Sequence, residues 1–309
     1  MFFAIVQLVL ELLVLYGKAF FMILEGIFRL IFPVSEKSVK DEVVLITGAG
    51  HGIGRELALQ FAKKQAILVL WDINENEIQN VAEEVRKLGG VAHIYKCDVS
   101  DLHQVESIAA RIQQEVGDVS ILFNNAGVVN LKPFNELEPA EIQRTLSVNT
   151  LAHFWTLRQF LPRMIELGRG HVVAMSSVCG ILGGPYTTDY SASKHAVIGL
   201  MKALEEELHF IGKGDIIHFT AICPTIVDTG FVHHPHTRFP EILPILHPKK
   251  VAREAVNAVL TNKRIAVVPS WLGYLIPIFR LFPDKVFIMF QRFLDQAANP
   301  NDSLRAKVH

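Results

Sequence analysis

Two regimes of hydrophobic patterning divide the chain. Residues 2–32 are almost continuously apolar, and the polar exceptions are Gln7, Glu11, Lys18, Glu25 and Arg29. Their spacings of 4, 7, 7 and 4 place all five, at 100° per residue, in one helical stripe about 40° wide. The pattern predicts a helix that is apolar on every other side. Its uncharged runs fall well short of the roughly 20 residues of a spanning segment. Such a helix either lies deep in a lipid interface or crosses a membrane with its ionic seam facing a partner. Met1-Phe2-Phe3 provides no basic start and no small-residue cleavage site follows, which argues against a secretory signal. Arg29, Lys37 and Lys40 behind the apolar run keep the remainder cytosolic by the positive-inside bias.

From Val43 the pattern alternates short apolar runs with amphipathic segments. The runs 43–47, 67–71, 91–96, 120–123, 171–175, 216–222 and 265–268 predict seven strands. Helices are predicted after Gly54 to about Lys64 and over 75–88, 101–116, 139–166, 189–211 and 248–260. Strands alternating with helices at this spacing give an α/β fold, a doubly wound parallel sheet of the Rossmann type. The expected organisation is an anchoring helix over 1–36, a sheet domain over 37–268 and an apolar membrane-proximal C-terminal extension over 269–309, with a disordered tail from Ala297.

Composition adjusts this picture in two places. Hydrophobic residues make up 50% of the 309 and mean hydropathy is +0.30, high enough to require a membrane explanation. A net charge of −1 gives no support to a nucleic-acid partner. Cys97, Cys179 and Cys223 are odd in number and widely spaced, which fits buried thiols in a reducing compartment. His233-His234-Pro235-His236 has no acidic or cysteine pattern beside it, so no metal is expected. The proline-rich stretch 229–247 around it reads as a lid.

The candidate chemistry gathers at predicted strand ends, where open parallel sheets bind ligands. Gly48, Gly50, His51, Gly52, Ile53 and Gly54 form a glycine-rich turn between a strand and a helix, suited to a pyrophosphate on the helix N-terminus. Asp72 ends the second strand, 18 residues beyond Gly54, where a carboxylate accepts from ribose hydroxyls and repels a 2′-phosphate. That selects NAD over NADP. Asp98 follows the third strand and Asn125-Ala126-Gly127 the fourth. Ser177, with Ser176 as its competitor, follows the fifth. Tyr190 and Lys194 are four apart on one helix face. A phenol titrates near 10, and a neighbouring ammonium draws it toward the working range, making Tyr190 an acid/base candidate.

Together, Thr47-Gly48-x-x-x-Gly52-x-Gly54, Asn124-Asn125-Ala126-Gly127, Asn149, Ser177 and Tyr190-x-x-x-Lys194 resemble the short-chain dehydrogenase/reductase family over about residues 41–268. The resemblance implies that Tyr190 is the acid/base and that Lys194 lowers its pKa and holds the nicotinamide ribose. It also implies that Ser177 positions the substrate oxygen, Asn149 anchors a relay water, Val227 and Thr229 contact the cofactor amide, and Pro224 binds the cofactor beside them. Thr225 stands where many members have glycine, and narrows the nicotinamide side. Longer stretches, among them Leu68-Val69-Leu70-Trp71-Asp72-Ile73-Asn74 and Ala152-His153-Phe154-Trp155, resemble the branch of lipid-droplet 17β-hydroxysteroid dehydrogenases (types 11 and 13) and epidermal retinol dehydrogenases.

That branch implies NAD-dependent oxidation of a steroid or retinoid hydroxyl at the endoplasmic reticulum or lipid droplet, by a homodimer paired through 139–166 and 189–211. A ketone reductase of another lipid fits less well, because Asp72 disfavours NADP. A lipid-droplet scaffold is the rival of a different class; it has no need of Ser177, Tyr190 and Lys194. The apolar stretches 271–279 and 286–290 read either as core packing or as a surface resting on lipid.

Overall fold

The computed structural model describes residues 2–32, 34–231, 235–294 and 296–298. They divide into two units, residues 1–37 and 38–309. In the first, α1 (Phe2–Ile31) is one uninterrupted helix, and Phe2–Gly26 is long and apolar enough to cross a membrane, with mean hydropathy 1.8. Its apolar side chains are exposed, Leu13 by 62% for example. Gln7 Nε2 donates to Glu11 Oε1 at 2.9 Å, the i,i+4 contact the polar stripe predicts.

The second unit holds the sheet. Its strands are β1 (Val43–Thr47), β2 (Ile67–Asp72), β3 (Val91–Lys96), β4 (Ile121–Asn124), β5 (Gly170–Met175), β6 (Ile217–Pro224) and, near the C-terminus, β8 (Ile265–Val268). They are hydrogen-bonded in the order β3-β2-β1-β4-β5-β6-β8, all parallel. The order reverses between β1 and β4, which opens a crevice above their carboxyl ends.

Helices cover both faces. On one, α2 (Gly52–Lys63), α3 (Glu75–Lys87) and α8 (Pro248–Leu260) bury Leu57, Phe61, Ile78 and Val259 against Val44, Ile46, Leu68 and Phe123. On the other, α4 (Leu102–Glu115), α6 (Ala152–Glu166) and α7 (Thr188–Phe210) bury Ile112, Leu157, Met164 and Val197 against Leu45, Trp71, Leu122 and Val172. Each large side chain so buried contributes about 1.5–3 kcal/mol. The helix starts follow local chemistry. Asn74 caps α3 by accepting from Glu77 N, and Asp101 caps α4 through His103 N and Gln104 N.

Three sequence expectations change. The helical region 139–166 is broken: α5 (Pro139–Leu146) passes through a π-helical turn, Ser147–Leu151, before α6 begins. The tail was expected to be disordered from Ala297, yet Ala297 and Ala298 lie in β9 (Gln296–Ala298), paired antiparallel with β7 (Pro235–Thr237). The backbone groups of β7 supply the pairing that the composition of the tail does not reveal; residues 299–309 lie outside the described residues. The apolar stretches near the C-terminus form α9 (Ser270–Phe279) and α10 (Asp284–Leu294), and neither alternative describes them fully. Leu272 and Ile276 enter the core, while Tyr274, Leu281, Phe282 and Met289 face outward.

Candidate active site

The turn after β1 is shaped by glycine at two points. Gly48 has φ +63°, and a Cβ there would lie 2.8 Å from Ala126 Cα; a Cβ on Gly54 would lie 2.0 Å from the Gly48 carbonyl oxygen. The turn is bound to the end of β4. Thr47 Oγ1 accepts from the N–H groups of both Asn125 and Ala126 at 3.0 Å. Asn125 Nδ2 donates to the carbonyls of Thr47 and Gly48 at 2.9 and 3.0 Å. No side chain caps α2, so its first turn presents backbone donors suited to an anion. The glycine cradle and this helix end fit a dinucleotide.

Asp72, mostly buried, accepts from Gly50 N at 2.9 Å and Asn74 N at 3.0 Å, which fixes its carboxylate above β2. Asp98 accepts from the backbone N–H and hydroxyl of Ser100. His51 reaches Glu77 at 3.4 Å on the exposed side of the turn.

Tyr190 and Lys194 occupy the first turns of α7. Lys194 is buried, its Nζ donates to the Met175 carbonyl at 2.8 Å, and it sits 5.6 Å from the Tyr190 ring centroid. Burial depresses its pKa to about 8. The Tyr190 phenol departs from the sequence expectation: burial, the largest influence, raises its pKa above the ordinary value, and the neighbouring Cys179 and Cys223 thiols push the same way. The lowering influence comes from the Ser177 hydroxyl, while the Lys194 ammonium is committed to a main-chain oxygen. At neutral pH the phenol therefore carries its proton.

The two serines separate by partner. Ser176 Oγ donates to the Lys194 carbonyl and serves the fold, whereas Ser177 Oγ accepts from Cys179 N at 3.1 Å and lies beside the phenol. Asn149, fully buried in the π-turn, is bidentate with Val128: Oδ1 accepts from its N–H and Nδ2 donates to its carbonyl, both at 2.8 Å. Nδ2 also reaches Ser193 Oγ at 3.1 Å, so the Asn149 side-chain amide is spent on protein.

A cavity of about 660 Å³ runs through these groups. Gly48, His51, Gly52, Ile53, Gly54, Asp72, Asp98, Asn125, Ala126, Gly127, Ser177, Tyr190, Pro224, Val227 and Thr229 all line it. Gly50, Asn149 and Lys194 are not in its wall. Thr225 lines it too, with a buried hydroxyl that finds no partner among the described residues.

Sequence reasoning missed the far, apolar arm of the cavity, formed by Leu131, Val178, Leu182, Phe231, Leu243, Leu272 and Leu294. Phe231 meets the Tyr190 ring edge-on at 6.2 Å, within the stretch anticipated as a lid. Of the histidines there, His233 and His234 lie outside the described residues.

Comparison with known proteins gives a consistent answer. The family profile of the short chain dehydrogenases matches residues 42–237. Human 17-beta-hydroxysteroid dehydrogenase 13 is 40% identical over 286 residues, 93% of this chain and 94% of its own. Mouse estradiol 17-beta-dehydrogenase 11 is 40% identical over 276 residues, 89% and 91% of the two chains. Among solved structures, a short chain dehydrogenase/reductase from Burkholderia phymatum in complex with NAD superposes with a TM-score of 0.69 at 27% identity, covering 77% of this chain and 92% of that one. A metagenomic short-chain oxidoreductase in complex with NADP gives 0.62 at 27% identity, covering 75% and 96%.

Proposed function

The chain belongs to the short-chain dehydrogenase family and is an oxidoreductase, and from that premise we propose that it oxidises a hydroxyl group of a lipophilic alcohol with NAD. The leading substrates are 17β-hydroxysteroids, after which its relatives are named, and all-trans-retinol. The observation that carries this reading is the placement of Ser177 and Tyr190 where the polar crevice meets the apolar arm of one cavity.

The glycine turn, Asp72, Asp98 and the Asn125–Gly127 segment would hold the dinucleotide, which when bound supplies a hydride acceptor. Asp72 favours NAD because its carboxylate, held by two backbone amides, accepts from ribose hydroxyls and repels a further phosphate. Ser177 donates to the substrate oxygen and fixes its distance from the phenol. In oxidation Tyr190 first loses its own proton to solvent and then, as the phenolate, takes the hydroxyl proton; in the reverse direction the phenol donates it. Lys194, cationic at neutral pH, offsets the charge of the phenolate that oxidation consumes and reduction regenerates. The apolar arm removes water from around the reacting carbon.

The exposed apolar α1 supports anchoring by residues 1–36 to the endoplasmic reticulum or a lipid droplet, with the catalytic unit facing the cytosol. Exposed Leu146 on α5, Phe154 on α6 and Phe210 on α7 support a homodimer through those helices.

The test is NADH formation by detergent-solubilised protein given oestradiol or all-trans-retinol, with NAD or NADP. Turnover with NAD that disappears in Tyr190→Phe, while NAD still binds, supports the proposal. NAD binding without turnover of either alcohol sinks the substrate assignment and favours a scaffold.

A further inference from the structure

The β5–α7 connection carries Ser177 at its start and Tyr190 at its end, and between them it forms one wall of the apolar arm through Val178 and Leu182. Gly180, Gly183 and Gly184 make this stretch intrinsically loose, and a Cβ on Gly183 would meet nothing within 4 Å. Two of its carbonyls are nevertheless held from 99 and 108 residues away. Arg280, at the end of α9, donates from Nη2 to the Ile181 carbonyl at 2.9 Å. Gln291, on α10, donates from Nε2 to the Gly183 carbonyl at 2.5 Å. Leu182 lies between the two held carbonyls.

Packing runs the same way. Ile181 and Leu182 rest against the cluster that contains Leu272 and Ile276 of α9, with Trp271 beside it. Gln291 and Leu294 of α10 themselves line the cavity. From the lid side, Arg238 reaches across: its guanidinium lies 5.0 Å from the Phe293 ring centroid and 5.2 Å from that of Phe239. Stacked Phe279 and Phe290, centroids 4.5 Å apart, lock α9 to α10 so that the two helices act as one strap.

We infer that Arg280 and Gln291 are positioning residues: they clamp the Ile181–Gly183 backbone to the C-terminal helices and so hold Leu182 in place as the wall that shapes the lipid-binding arm. This rests on the lipid-alcohol reading for its kinetic consequence, but the clamp itself does not. Neither residue touches the dinucleotide cradle, so loss of the clamp weakens binding of a bulky alcohol and spares binding of the cofactor. An arginine-to-carbonyl bond is charge-assisted, which makes Arg280 the stronger of the two anchors.

The experiment uses the full chain in detergent and compares wild type, the double variant Arg280→Ala/Gln291→Ala, and Arg280→Lys, which keeps a cationic donor. Hydrogen exchange followed by mass spectrometry reads the clamp directly. The double variant is expected to speed exchange across residues 180–186 roughly tenfold, with the glycine turn unchanged. Steady-state kinetics read the consequence: KM for oestradiol rises roughly tenfold, with kcat and the NAD dissociation constant within about twofold. Arg280→Lys retains most of both properties. Unchanged exchange at 180–186 overturns the inference, as does loosening that spreads to the glycine turn with a parallel loss of NAD affinity. If wild type fails to turn over oestradiol, the substrate proposal falls while the exchange result still decides the clamp.

Discussion

Lys194 Nζ donates to the Met175 carbonyl oxygen at 2.8 Å, tying the ammonium of α7 to the last residue of β5. The bond fixes where the charge sits, and burial sets how willingly it is held: the pKa falls to about 8. Position of charge, more than proximity to the ring, defines what this lysine does.

Lys194→Met should abolish turnover and raise thermal stability. A lysine depressed from 10.5 to about 8 binds its proton less tightly folded than unfolded, so its burden on the native state is fully present below pH 8. Methionine keeps the stem and removes that burden, though the Met175 carbonyl loses its donor. The net expectation is about 1 kcal/mol at pH 7, a rise of a few degrees in Tm. A calorimetric scan checks it. The difference from wild type should shrink between pH 8 and 10.5 as the native lysine's disadvantage fades.

Asp72→Ala should erode cofactor discrimination. The carboxylate holds both Gly50 N and Asn74 N, so its loss loosens the turn as well as removing a ribose acceptor. KM for NAD is expected to rise about tenfold or more, whereas NADP is relieved of repulsion and gains. Kinetics with both cofactors at fixed alcohol would show the ratio of kcat/KM values collapsing. An unaltered ratio would remove Asp72 from the specificity argument.

His153 gives the fold an acid-sensitive point. It is buried, neither ring nitrogen has a partner among the described residues, and burial followed by the Lys194 charge depresses its pKa from 6.5 to about 3. The unfolded chain binds this proton more tightly, so stability is retained above pH 6.5 and declines as pH falls from 6.5 toward 3. His153→Gln should flatten that part of the stability–pH curve, measured by urea unfolding between pH 4.5 and 7. A parallel curve would assign the acid sensitivity elsewhere.

Removal of residues 1–37 should separate anchoring from chemistry. The chain divides there, and the sheet lies wholly in the second unit. The 38–309 protein is expected to bind NAD as the full chain does. In flotation with phospholipid vesicles it should be recovered in the soluble fraction far more than the full chain. Retention of full vesicle binding would shift the anchor to the outward apolar residues of α9 and α10.

The sheet was legible because most strands are short runs rich in apolar residues, and the site because a polar or glycine residue closes several of them at their carboxyl ends. Tyr190 needed its helical spacing from Lys194, and the choice of Ser177 over Ser176 needed the family resemblance, whereas Asp72 and the glycine turn could be placed from this alone. The polarity of the pKa shift could not: spacing shows that Lys194 shares a face with Tyr190, but which oxygen the ammonium chooses depends on Met175, 19 residues away. The apolar arm was hidden for a similar reason. Leu182, Leu243, Leu272 and Leu294 look like ordinary core leucines, and only the folded chain brings them around one cavity.

The π-turn at Ser147–Leu151 has a consequence for insertions and deletions. A straight α-helix advances 100° per residue, so the extra residue accommodated in a π-turn offsets the faces of α5 and α6 by about that angle. Thr145 and Asn149 can then meet Asp189 and Val128 while Leu157 and Met164 still enter the core. Deleting a single residue here would leave helix propensity and composition nearly intact and yet change the phase between the two halves. The half that binds the site and the half that binds the core could no longer both be seated.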